Sequence, residues 1–169
     1  MPFARLHSLL PEVAEKETRS LWIPGADGAP AEGFAFVEMF CNEPGCDCRR
    51  VVLQVHAAGD PSLLLAQISY GWEPASFYRA WANFPLSKED LEELKGPGLM
   101  RLAMQSDRAD EMLILSRTLL ADERYVARLV HHYGLFREVV DGPHGVAGAK
   151  PLGLTSGWRS PSTKRRKKK

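Results

Sequence analysis

Residues 49–72 read RRVVLQVHAAGDPSLLLAQISYGW. A strand sends successive side chains to opposite faces. Over 49–57 this puts Val51, Leu53 and Val55 on one face, and Arg50, Val52, Gln54 and His56 on the other. The connection AAGDP is short and has turn chemistry, so 49–57 and 62–72 are expected to pair as an antiparallel hairpin. Upstream, GFAFVEMF (33–40) also alternates, with Phe34, Phe36 and Glu38 on one face. It reaches 49–57 through the stretch CNEPGCDC (41–48), a second expected hairpin.

After Trp72 the period changes to that of a helix. Phe77, Tyr78 and Trp81 recur at helical spacing. Residues 87–96 form a short helix with Ser87 as N-cap, acids in the first turn and Gly96 as the stop. The stretch RADEMLILSRTLLADERYVARLVHHYGLFREVVDG is helical, with a second N-cap at Asp122. Near the start, Phe3, Leu6, Leu9, Leu10 and Val13 have helical spacing, and Pro11 either kinks that helix or begins another. IPGADGAPAEG (23–33) reads as a loop. The expected fold class is α+β: a small three-stranded antiparallel β-meander covered by helices on one face. Residues 1–142 are expected to form a single domain, and 143–169 a flexible Gly/Pro/Ser-rich and basic tail, disordered in its basic part.

Length and composition, 169 residues with 44% hydrophobic and 25% charged, suit one folded domain. No apolar run reaches membrane-spanning length, and MPFARLHSLL is too short and too charged for a signal peptide. A cytoplasmic place with reduced thiols and no membrane partner follows as an expectation. The net charge of +1 hides an asymmetry. Lys164, Arg165, Arg166, Lys167, Lys168 and Lys169 carry six of the 22 basic groups, and the rest of the chain is net −5. Such a tail suits nonspecific attraction to nucleic acid, or simply solubilises the chain.

All three cysteines lie within CNEPGCDC. Cys46 and Cys48 are two apart, so in extended chain they point the same way. Cys41 stands across a turn set by Pro44 and Gly45. Three sulfurs converge, and an odd count argues against a disulfide framework. Zinc takes four Cys or His ligands in a tetrahedron. His56 is a poor fourth: it is eight residues beyond Cys48, roughly 26 Å at about 3.3 Å per residue. On a helical wheel Leu129, Tyr133, Phe136 and Val140 share a face; His132 lies on its border and His131 opposite. The expected site is therefore Zn2+ on Cys41, Cys46, Cys48 and His132, clipping the first hairpin to the last helix. Arg49 and Arg50 are expected to support the thiolates. A packed core histidine is the plainer reading of His132.

The stretches FCNEPGCDCRRVVLQV, ISYGWE and YVARLVHHYGLF resemble a group of uncharacterised bacterial proteins with an aromatic–Cys–x–x–Pro–x–Cys–Asp–Cys–Arg turn and a His-Tyr-x-x-Phe helix. The resemblance spans roughly residues 34–137 and implies a metal site, with the helix histidine at His132, but no reaction. The signatures H-x-E with P-C-x-x-C, H-E-x-x-H, G-x-S-x-G, and the phosphate and dinucleotide loops are absent. Zinc-stabilised, non-catalytic interaction with nucleic acid or a protein partner is the first expectation. A thiol-based redox sensor and a zinc-dependent hydrolase are the alternatives. The aromatics Tyr70, Trp72, Phe77, Tyr78, Trp81 and Phe84 read as core rather than as a stacking surface for bases.

Overall fold

The computed structural model describes residues 2–142, so the basic tail and Trp158 lie outside the described residues. In chain order the elements are β1 (Phe3–Arg5), α1 (Leu6–Leu9), α2 (Pro11–Glu17), β2 (Arg19–Ile23), β3 (Glu32–Cys41), β4 (Arg50–Ala57) and β5 (Asp60–Gly71). There follow α3 (Ala75–Trp81), α4 (Lys88–Lys95), β6 (Gly98–Leu99), α5 (Ala109–Leu120) and α6 (Glu123–Asp141). The fold is α+β, but the sheet has six antiparallel strands instead of three. Its order is β1-β3-β4-β5-β6, with β2 also on the outer edge of β3.

The central strands follow the alternation. Glu38 pairs with Leu53 and Phe36 with Val55; across the next ladder Leu53 pairs with Ile68 and Val51 with Tyr70. Phe34, Phe36, Phe40, Val51, Leu53, Val55 and Ile68 thus share one face, and all are buried in the main hydrophobic cluster. Met112 of α5 and Leu129, Tyr133 and Phe136 of α6 complete that cluster. Two helices with apolar stripes cover one face, as a half-apolar sheet requires. The opposite face is polar: Arg5 Nε donates to Gln54 Oε1 at 3.0 Å, and Gln54 Nε2 donates to Gln67 Oε1 at 3.3 Å.

The helix punctuation is chemical. The Ser87 hydroxyl accepts from the Asp90 N–H at 3.0 Å and the Asp90 carboxylate accepts from the Ser87 N–H, a reciprocal cap. Gly96 ends α4 at φ 58, a value that favours glycine. Asp122 accepts from Arg124 N–H at 2.9 Å and separates α5 from α6. Pro11 begins α2 at its first position, where its missing N–H costs no hydrogen bond. Phe3, expected in a helix, instead lies in β1 opposite Cys41.

β1 and β2 leave a gap along β3. β1 pairs with 39–41 and β2 with 32–36, so the backbone at Val37 and Glu38 has no strand neighbour on that side and borders a cleft shared with α1 and α2. No helix of the described residues is long and apolar enough to cross a membrane.

Phe136 is fully buried, with its ring centroid 5.5 Å from that of Phe40. Phe136→Ala is expected to cost about 3–5 kcal/mol, read as a lower urea midpoint at unchanged slope. A loss below about 1 kcal/mol would show that α6 does not close this core.

Candidate metal centre

The cysteine turn is built by its own residues. Pro44 fixes the first central position, and Gly45, at φ 72, takes the second. The Glu43 carbonyl accepts from Cys46 N–H at 3.2 Å and closes the turn. The three sulfurs then lie within 4.8 Å of one another. Cys41 and Cys48 are buried and Cys46 is half-buried, so the cluster meets solvent on the Cys46 side.

The thiols share protons unevenly. A hydrogen bond from Cys48 draws the Cys41 thiol down to about 6, against the opposing effect of burial, with the Glu43 N–H helping. Cys46 is also lowered, again first through Cys48. Cys48 is pushed up, because donating to Cys41 and Cys46 and being buried all favour its protonated form. The cluster therefore concentrates thiolate character, which a cation would neutralise. A tetrahedral zinc with bonds of about 2.3 Å needs its sulfurs about 3.8 Å apart, so closing on the ion takes at most about 1 Å.

His132 does not join the sulfurs. The wheel puts it at the border of the apolar face; it is fully buried, while His131 is exposed. Yet Nδ1 lies 2.7 Å from Glu38 Oε2 and Nε2 lies 3.2 Å from Glu17 Oε2. Both ring nitrogens face carboxylates, so neither is free to ligate. The expected fourth ligand is corrected on this point: the histidine serves a buried ion-pair cluster in the gap beside β3.

The expected clip between hairpin and last helix is made by other groups. Arg137 Nη1 donates to the Cys41 carbonyl at 2.9 Å and the Glu43 carbonyl at 3.1 Å. Asp141 Oδ1 accepts from Gly45 N–H at 2.9 Å, and Tyr133 Oη donates to the Cys46 carbonyl at 3.4 Å. Arg137 and Asp141 pair with each other one helical turn apart. The sequence signal was available: an Arg and an Asp at i and i+4, beside the apolar stripe of α6.

The two arginines after Cys48 do not turn to the thiols as expected. Arg49 Nε donates to Asp47 Oδ1 at 2.9 Å and Nη1 donates to Glu73 Oε1 at 3.1 Å. These bonds accompany an Arg49 φ of 46, a sparsely populated backbone for any residue with a Cβ. Arg50 lies over the Phe3 ring, 5.2 Å from its centroid. Of the aromatic set, Tyr78 is buried and donates to the Arg49 carbonyl at 2.8 Å, and Trp72 packs edge-on against Tyr133 at 5.2 Å. Phe84, expected in the core, is 62% exposed.

No protein-family model, curated protein or solved structure matches this chain. The chemistry of the site rests on its own residues.

Burial pushes His132 down, but the Glu38 hydrogen bond and charge, and then Glu17, outweigh it; the net value lies above the ordinary 6.5. A folded value above the unfolded one stabilises fully below about pH 6.5, and that stabilisation is lost as pH rises through the folded value. Urea midpoints between about pH 6 and about pH 9 should therefore decline more in the native chain than in His132→Gln. Equal declines would mean that the imidazolium is not held by these carboxylates.

Proposed function

We propose that this chain is a small zinc-stabilised domain that acts by binding a partner and not by catalysis. The convergence of the three cysteine sulfurs within 4.8 Å carries this reading. Zinc suits the donor set: it accepts several thiolates, has no redox chemistry and tolerates the angles a turn imposes. The fourth position falls to a donor from the solvent side, where Cys46 is half-buried. Three thiolates push charge onto the ion and leave it a weak acidifier of water, which favours a structural over a hydrolytic role. A structural zinc contributes on the order of 10 kcal/mol to folding. The reduced thiols suit a cytoplasmic setting. The bacterial resemblance of the turn and the His-Tyr-x-x-Phe helix is in keeping with this reading.

The lowered Cys41 thiol and the accessible Cys46 favour a second reading, a thiol redox sensor. Mild oxidation followed by mass spectrometry separates the two. A bound zinc protects the thiols, whereas a sensor forms a reversible Cys46–Cys48 bridge.

The basic residues Lys164 to Lys169 supply the nucleic-acid side of the proposal. A protein partner remains the alternative for the same domain.

Purified full-length protein should carry about one zinc per chain by elemental analysis. Cys46→Ser should lose it and melt early, while His132→Ala should keep it. Metal-free native protein, or Cys46→Ser that retains full zinc, would refute the site. In gel shifts, the full chain should bind duplex DNA with a log–log salt slope of up to about −5, the limit for six neutralised phosphates. Removal of residues 164–169 should abolish that binding; unchanged binding would remove the tail from the proposal.

A further inference from the structure

On the polar face of the sheet, Arg50 is only 6% exposed, and among the described residues it has no carboxylate within ion-pair reach. Its Nε is buried without a hydrogen-bond partner, and its guanidinium lies over the Phe3 ring. A buried guanidinium N–H left unpaired is costly, because its desolvation is not repaid. Ser69 Oγ, on the adjoining strand and the same face, is also buried and unpartnered.

Arg50 lines a cleft of about 560 Å³. The remaining walls combine two chemistries. Phe84, Leu86, Leu94 and Leu102 are apolar, and Phe84 and Leu102 are exposed at the rim. Asp90 and Glu93 also border the cleft, but both pair with Arg101. Arg101 lines the cleft as well, so four apolar side chains stand beside a self-paired Arg101–Asp90–Glu93 group and the unpaired Arg50, and the volume is that of a small-molecule site.

We propose that this cleft binds a small molecule with a carboxylate head and an apolar body, the head on Arg50 and the body against Phe84, Leu94 and Leu102. One planar guanidinium matches one carboxylate, with two parallel N–H···O bonds. A single unpaired cation balances a monoanion, and the bordering acids disfavour a doubly charged phosphate. The apolar rim explains why a bare anion would not suffice. No cysteine lines the cleft, although Arg50 follows Cys48 by two residues.

Calorimetry on the full-length protein tests this with decanoate, decanol and butanoate. Decanoate should bind to one saturable site, with decanol and butanoate at least about tenfold weaker, the scale of one charge-assisted contact or a lost apolar chain. Arg50→Met should weaken decanoate by about tenfold or more and leave decanol unchanged. Leu102 is fully exposed, so Leu102→Ser should fold normally and weaken both decanoate and decanol. Equal affinity for decanoate and decanol, or no saturable decanoate binding, overturns the proposal. So does an unchanged affinity in Leu102→Ser or in folded Arg50→Met, or binding that emerges only when residues 143–169 are removed, which would make the tail the occupant. If Arg50→Met does not fold, the decanoate-to-decanol ratio and Leu102→Ser decide.

Discussion

The guanidinium of Arg137 joins α6 to the end of β3. It is nearly buried, and it bonds two carbonyls of the cysteine turn and the Asp141 carboxylate. Removing it would leave two carbonyls and a carboxylate short of donors in a site with little water, and such losses cost far more than the bonds contribute when made. Asp141 in turn holds the Gly45 N–H at the tip of the turn. The turn is therefore fixed from outside as well as by Pro44 and Gly45. Three sulfurs can stay within 4.8 Å only because the backbone that carries them is fixed at both its ends.

A second attachment lies further back along the same helix. β3 and α6 run in the same sense: His132 meets Glu38, and Arg137 meets Cys41. Five residues of helix advance about 7.5 Å and three residues of strand about 10 Å, so the two elements keep step. Alternation turns Glu38, with Phe36 and Phe40, to the face that α6 covers, and beside it β1 and β2 leave a gap along β3. The ion-pair cluster fills that gap with a charge that Glu17 of α2 shares. One helix thus ties the sheet edge, the α2 end and the cysteine turn into a single unit.

This arithmetic also explains what the sequence could reveal. A wheel reports the direction of a side chain and says nothing of its height along the axis. The wheel puts His132 at the border of the buried face and His131 opposite it, and the structure buries the first and exposes the second, but the height that reaches the cysteines belongs to Arg137 and Asp141. The central hairpins were legible because Val51, Leu53 and Val55 alternate against a buried face. Ser87, Gly96 and Asp122 were legible because caps are local chemistry. β1, β2 and β6 were not, since strands of two to five residues are too short for a period, and their pairing with β3 and β5 is a long-range choice. Proximity in sequence suggests Arg50 as a support for the thiolates, yet alternation on β4 turns it toward Phe3.

The central claim is that the turn between β3 and β4, held by α6, would present three thiolates, and no imidazole, to a metal. X-ray absorption at the zinc edge of the full-length protein measures this directly. The account predicts three sulfur neighbours at about 2.3 Å and none of the multiple scattering of a bound histidine ring. A spectrum with fewer sulfurs, or with the imidazole pattern, would contradict it.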